Sequence, residues 1–177
     1  MNVIASGAME GATSTYAMHC NAISFSSIIP QGGSFPYIYI SEWTSGHCNC
    51  HVETMSISGT NVTMSRVQKI SYSGSKFNTS LNWDWSVDVK TGYLWCYGYA
   101  ASASDRYGAK IALKFPLPSP TSGDVTYTDS NIVDQFSFTF EGAQQDVHIE
   151  NDMMFYEFSY NVTGGRGGIL LINLKTK

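Results

Sequence analysis

The chain has 177 residues and a formal net charge of −4, and 43% of its residues are apolar whereas only 14% are charged. This length is sufficient for one domain with a hydrophobic core. Globular proteins carry about 25% charged residues, so much of the polar surface must come from Ser, Thr, Asn and Gly, which favour β-structure and turns. The sequence contains no basic run, and nucleic acid is therefore not an expected partner, because phosphate binding requires clustered Lys and Arg.

The N-terminal residues 1–14 are small and polar. They contain neither the basic region nor the apolar region of a signal peptide, and none is predicted. No stretch of 18 apolar residues occurs in the chain, so no membrane-spanning segment is expected either.

The first segment, residues 17–73, alternates apolar and polar residues with the period of two that is typical of strands. The predicted strands are 17–25, 36–43, 50–57 and 62–72. The fourth has mixed faces that include Arg66 and Lys69, as expected of an outer edge strand, where charge discourages pairing with other chains.

Two further segments, residues 82–141 and 143–177, show the same alternation. The predicted strands are 82–89, 93–99, 109–115 and 134–140 in the second segment, and 146–149, 153–160 and 168–174 in the third. Pro116, Pro118 and Pro120 interrupt the second segment because proline has no N–H to donate to a sheet. The third segment lacks a fourth strand, which residues 2–5 are expected to supply.

Aromatic-rich strands begin at Tyr37, Tyr93 and Met154, at intervals of 56 and 61 residues. A period of this size fits one four-stranded sheet per unit, which is the blade of a β-propeller. The sequence therefore predicts a single all-β domain, residues 1–177, of about three four-stranded antiparallel blades. A β-sandwich is the alternative.

Several motifs occur in a fixed order along the chain. They are His-x-Asn-x-x-x-Phe at 19–25, Phe-Pro-Tyr-x-Tyr-x-Ser-Glu at 35–42, Val-Gln-x-Ile at 67–70, Trp-x-x-Asp at 85–88, Phe-Pro-Leu-Pro at 115–118, Gln-Asp at 145–146 and Gly-Gly-Ile-Leu-Leu-Ile-Asn-Leu at 167–174. In this order they resemble uncharacterised bacterial proteins with a six-bladed, TolB-like propeller. The resemblance implies a propeller fold from about residue 17 onward, and it implies little about function because propellers include both enzymes and binding proteins.

Three blades do not close a ring, since propellers typically have four to eight. The chain is therefore expected to be a fragment of a longer propeller or a subunit that completes a ring with another copy. The apolar faces of its end blades would otherwise be exposed, and large exposed apolar patches require a partner.

The first strand of each predicted blade carries residues suited to ligand binding, because such strands line the central channel of a propeller. These candidates are His19, Asn21, Asp84, Asp146 and His148. The favoured function is a non-enzymatic module that binds a small molecule, a carbohydrate or a peptide. The alternative is a hydrolase or lyase whose carboxylates and histidines act as an acid–base pair in the channel.

The segment His47-Cys48-Asn49-Cys50-His51 is the densest set of metal-ligand residue types. On a strand the two cysteines share one face, whereas both histidines share the other face with Asn49. They do not converge on the tetrahedral geometry of zinc, so no metal and no cofactor is predicted. Free thiols are the expected state of the cysteines, and a bridge from Cys48 or Cys50 to Cys20 or Cys96 is the alternative.

The large aromatic residues are the last candidate for a site. They are Trp43, Trp83, Trp85, Trp95, Tyr93, Tyr97 and Tyr99. Packing between blades is the expected role, because large rings dominate core burial, and a platform for stacking sugars is the alternative.

Overall fold

The structure is a computed structural model that describes residues 19–44, 47–81, 83–105, 107–140, 142–159 and 167–175. For residues 19–21, 43, 44 and 47 it describes the backbone alone. Within these ranges the chain is all-β, with strands and one short 3₁₀ helix at Asp129–Asn131. The predicted closing strand at residues 2–5 lies outside the described residues.

Twelve strands are present in the described part of the chain. In order they are β1 (His19–Phe25), β2 (Ile38–Thr44), β3 (His47–Ser58), β4 (Asn61–Tyr72), β5 (Trp83–Asp88), β6 (Tyr93–Tyr99), β7 (Ala109–Pro116), β8 (Val125–Tyr127), β9 (Asp134–Thr139), β10 (Ala143–Glu150), β11 (Met153–Ser159) and β12 (Gly167–Asn173). They form three sheets, which we call sheet A (β1-β2-β3-β4-β8), sheet B (β5-β6-β7-β9) and sheet C (β10-β11-β12). Neighbouring strands pair antiparallel except for β4 and β8, which are parallel.

Sheet A has five described strands where the sequence predicts four, and sheet B has the predicted four. Sheet C has the three strands predicted for its segment, and its predicted closing strand lies outside the described residues. The difference arises after β7, where the chain crosses from sheet B to add β8 to sheet A and then returns to sheet B as β9. The prediction that β4 is an outer edge strand holds for most of its length within the described residues, because β8 pairs only with Ile70, Ser71 and Tyr72 at its C-terminal end.

Sheet B lies between the other two sheets and is covered on both faces. Its strand residues alternate, so that one set packs against sheet A and the other against sheet C. The A–B core contains Tyr37, Tyr39, Cys48, Cys50, Val52, Ile70, Tyr72, Phe77, Trp83, Trp85, Val87, Leu94, Cys96, Ile111, Leu113, Phe115 and Tyr127. The B–C core contains Trp95, Tyr97, Ala112, Val147, Ile149, Met154, Tyr156 and Leu174. The prediction that the described tryptophans serve core packing is confirmed, because all three are buried.

The first strand of sheet B docks its edge on the face of sheet A. The N–H of Trp85 donates to Ser41 Oγ at 3.2 Å, and the N–H of Val87 donates to Ser24 Oγ at 3.3 Å. Small hydroxyl side chains on sheet A thus provide acceptors for backbone donors that would otherwise be buried without partners.

The first strand of sheet C docks on sheet B in the same manner. The N–H of Ile149 donates to Ser86 Oγ at 3.1 Å, and the backbone N–H groups of Asn151 and Asp152 donate to the Asp88 carboxylate at 2.9 and 2.8 Å. The strands β1, β5 and β10 contact one another in all three combinations, with Cα atoms within 8 Å.

Candidate functional site

Asp84, one of the residues predicted to line a channel, is completely buried between the sheets. One carboxylate oxygen accepts a hydrogen bond from Ser41 Oγ at 3.0 Å, and the other accepts one from Gln144 Nε2 at 2.5 Å. Both oxygens therefore have partners, and the carboxylate joins sheets A, B and C where their first strands meet.

Asp146 and His148 lie on β10, on the face of sheet C that points away from sheet B, where both are exposed. Asp146 Oδ1 accepts the N–H of the next residue, Val147, at 2.7 Å, and the His148 ring lies 6.1 Å from that of Phe155. The structure does not bring these two side chains together with Asp84, because Asp84 is enclosed whereas they face solvent.

His19 and Asn21 lie on β1, and their side chains are outside the described part of the structure. The backbone of β1 contacts β10 directly. A ligand-binding role for the five predicted residues stays a prediction, and so does the hydrolase or lyase alternative that depends on them.

The cysteine–histidine segment lies on β3, which begins at His47 and not at the predicted residue 50. Its side chains are divided between the two faces of the strand. Cys48 and Cys50 are buried against sheet B, whereas His51 lies on the other face with its Nε2 2.8 Å from Glu42 Oε2. The described residues contain no group of three His, Cys, Asp or Glu side chains that is placed to hold a metal ion. Cys50 and Cys96 are not in disulfides.

A cleft is present at the end of sheet A. It has a volume of about 530 Å³ and lies between the ends of β3 and β4 and the segment that leads into β5. We call it the aromatic cleft; it is lined by Cys48, Asn49, Lys69, Ser71, Tyr72, Ser73, Gly74, Phe77, Thr79 and Trp83. Its volume is within the range of about 300–1,000 Å³ that is usual for small-molecule sites.

Three aromatic rings form the inner wall of the cleft. Phe77 and Trp83 are stacked with centroids 5.3 Å apart, and Tyr72 meets Phe77 edge-on at 5.4 Å. The rings pack on one another, and all three are buried.

The polar side chains of the cleft include an ammonium, an indole N–H, an amide and several hydroxyls. Among the described residues, the lining includes Lys69 and no Asp or Glu. The Trp83 Nε1–H is buried without a protein acceptor, and an indole nitrogen donates but never accepts. Lys69 and Trp83 thus provide donors without acceptor capacity, whereas the hydroxyls and the amide can both donate and accept.

A short network fixes the outer wall of the cleft. Asp129 accepts hydrogen bonds from the Tyr72 hydroxyl and from Ser75 Oγ, and burial together with the Asp129 bond raises the pKa of Tyr72. A side chain at Gly74 would collide with Asp129 and Tyr72, so glycine is required there for the loop to pass this network.

A carboxylate lies behind the polar rim. Burial opposes the charged form of Glu42, but hydrogen bonds from Asn49 and His51 outweigh it and lower the pKa of Glu42. Asn49 Nδ2 donates to Glu42 Oε2 at 2.9 Å, which fixes the orientation of this lining side chain.

The cleft is not predictable from the sequence patterns above, because its lining combines residues of β3, β4, the following loop and β5. The weak signal was the aromatic and polar run 71–83, which connects two predicted blades. No family model, no curated protein and no solved structure matches the chain. Among the described residues no helix has the length and apolar character needed to cross a membrane.

Proposed function

We propose that the protein is a non-enzymatic binding module and that the aromatic cleft is its ligand site. The observation that carries this proposal is a cleft of about 530 Å³ whose lining residues include Lys69 and Trp83, the indole N–H of Trp83 being buried without a protein acceptor. Buried donors normally have acceptors, so an acceptor supplied by a ligand would complete the site.

We further propose that the three sheets are blades of a propeller-like arrangement. Two observations support this: the first strand of each later sheet docks on the face of the preceding sheet, and the three first strands contact one another. The contact between β1 and β10 favours a closely packed axis over the wide central channel of a six-bladed ring. The ligand site in this proposal is therefore the cleft at the end of sheet A.

The ligand class follows from the groups in the lining. A small molecule with a carboxylate and several hydroxyls would match the Lys69 ammonium, the Trp83 donor and the polar side chains of Asn49, Ser71 and Thr79. A uronic acid has this chemistry. Its neutral parent sugar lacks the charge and provides a matched comparison, because charged hydrogen bonds are stronger than neutral ones.

The test is titration of uniformly ¹⁵N-labelled protein with glucuronate and with glucose while the four tryptophan indole signals are followed. The Trp83 signal is assigned from a Trp83→Phe variant. We expect glucuronate to shift this signal. We expect Lys69→Met to weaken glucuronate binding at least about fivefold. The control is Lys90→Met, which removes an ammonium that lies 3.9 Å from Glu150, and it should leave glucuronate binding unchanged. An unmoved Trp83 signal at millimolar glucuronate, or equal binding by Lys69→Met, would overturn the proposal.

A further inference from the structure

We propose that the outer edge of sheet C is a dimer interface, at which β12 of one copy pairs antiparallel with β12 of a second copy. This inference is independent of the cleft and of its ligand. It rests on the pairing, composition and exposure of a single strand.

In the described part of the chain β12 pairs on one side only, with β11. An edge strand presents unpaired N–H and C=O groups along its free side, and the group that matches them is another extended strand. The chemistry of the edge thus specifies a β-strand as its occupant.

The β12 edge has none of the features that usually prevent pairing. Its seven residues, Gly-Gly-Ile-Leu-Leu-Ile-Asn, include no charge and no proline. The outer edges of the other two sheets differ, because β8 has three residues and β9 begins with Asp134. Short edges and charged edges both oppose intermolecular pairing.

Both faces of β12 are apolar, which restricts the sequence of a partner. Ile169 and Leu171 lie on the outer face and are 72% and 56% exposed, whereas Leu170 and Ile172 lie on the inner face and are half-buried against the B–C core. A partner strand must present apolar side chains on both faces to extend these two surfaces. Residues 2–5, predicted above as a closing strand, are Asn-Val-Ile-Ala and would bring only one branched apolar side chain to each face. β12 itself brings two to each face and meets the requirement more fully.

A twofold axis through Leu170 gives a self-complementary register. It places Leu170 opposite Leu170 of the second copy, and Ile169 opposite Leu171, so the outer faces join in one patch of four apolar side chains. Because the strand carries no charge, no like charges meet. The combined sheet would have six described strands, a usual size.

The first test is solution mass by light scattering from about 5 to 500 µM. We expect the full chain to dimerise, and Leu171→Lys to remain monomeric over this range because it places a charge in the apolar patch. The control is Ile29→Lys, which changes a residue of similar exposure, 55%, outside the strands, and which should dimerise normally. A monomer throughout, or a dimer unaffected by Leu171→Lys, would overturn the proposal.

The second test addresses the register. Directly opposite residues of antiparallel strands have Cα atoms about 4.5–5.5 Å apart, which suits a disulfide. Under mild oxidation we expect Leu170→Cys to give a covalent dimer and Leu171→Cys to give far less, with the unchanged chain as the background for the native thiols. Equal cross-linking by both variants, or none by Leu170→Cys, would exclude pairing about Leu170.

Discussion

Strands β5 and β12 are both short and alternate along their length, yet they have opposite environments. All six residues of β5 are buried, including Asp84, Ser86 and Asp88, whereas every second residue of β12 is exposed although none is charged. In β5 the polar residues accept hydrogen bonds at the junctions between sheets. The buried polar residues of β5 therefore lie where a strand of a neighbouring sheet docks. The exposed apolar residues of β12 lie at the outer side of sheet C, where no further described strand packs.

The largest effect in this comparison is expected from Asp88. Its carboxylate accepts backbone N–H groups from Lys90 and Thr91 in one turn and from Asn151 and Asp152 in another. We expect Asp88→Ala to reduce the free energy of unfolding by about 3–5 kcal/mol, because several donors lose their acceptor at once. Urea titration measures this value, and a loss below about 1 kcal/mol would contradict the assigned role.

The same carboxylate predicts sensitivity to acid. Burial opposes ionisation of Asp88, but the hydrogen bonds from Asp152 and Asn151 outweigh it and lower its pKa. Because the folded-state pKa lies below the unfolded value of about 3.9, this contribution is complete above that value and is lost as the pH falls through the folded-state pKa. In Asp88→Asn, which cannot titrate, the unfolding free energy should fall less between pH 5 and pH 2 than in the wild type.

A smaller loss is expected from Ser86, which provides a single acceptor between sheets B and C. Ser86→Ala leaves the buried Ile149 N–H without its acceptor, and we expect a loss of about 1–2 kcal/mol. The control Ser56→Ala changes an exposed serine on β3 and should alter stability by less than about 0.5 kcal/mol. Equal effects of the two variants would mean that the Ser86 bond does not stabilise this junction.

Lys110 provides a test of comparable size at alkaline pH. It is almost fully buried, its Nζ donates to the carbonyls of Gly108 and Phe140, and burial lowers its pKa to about 8. Since the unfolded value is about 10.4, the unfolded chain binds more protons between these values, and stability rises with pH.

We expect the unfolding free energy of the wild type, relative to that of Lys110→Met, to increase by about 1–2 kcal/mol between pH 7 and pH 9.5. The comparison between the two proteins removes the effect of tyrosine ionisation, which is common to both. A difference that stays constant over this range would contradict a lowered Lys110 pKa.

The smallest effect is expected on the outer face of sheet C. Ile169→Thr, measured at a concentration at which the protein is monomeric, should change the free energy of unfolding by less than about 0.5 kcal/mol because the side chain is exposed. The buried comparison is Ile149→Val, which removes one methylene from the B–C core and should reduce the free energy of unfolding by about 1 kcal/mol. A larger loss for Ile169→Thr would mean that this face is covered within a single chain.

Much of the strand order was predictable, and the errors have physical causes. The strand at 93–99 was predicted with the bounds of β6, because Gly92 and the flanking turn limit it sharply. β8 was missed since three residues give no measurable alternation, and its pairing depends on contact with β4. Asp84 was expected to face a channel. Alternation shows that its side chain points away from the core on one side of the strand, but alternation does not show whether solvent or a second sheet lies on the other side.

The candidate site was less predictable than the fold. Trp83 was identified as a large aromatic, but whether its indole nitrogen has an acceptor depends on residues from sheet A and from the loop after β4. Lys69 was interpreted as a charge that protects an edge strand, whereas it borders the cleft beside Ser71 and Asn49. Both outcomes are set by long-range packing, which sequence periodicity does not contain.

The most direct test of this account is residue-resolved amide hydrogen exchange of the full chain and of Leu171→Lys. If the preceding sheets bury the first strands of sheets B and C and accept their hydrogen bonds, the amides of Trp85, Val87 and Ile149 will exchange only through global unfolding in both proteins. The amides on the free side of β12 will then exchange rapidly in the monomeric variant. Rapid exchange of Trp85, Val87 and Ile149 would contradict the stacking of the three sheets described here.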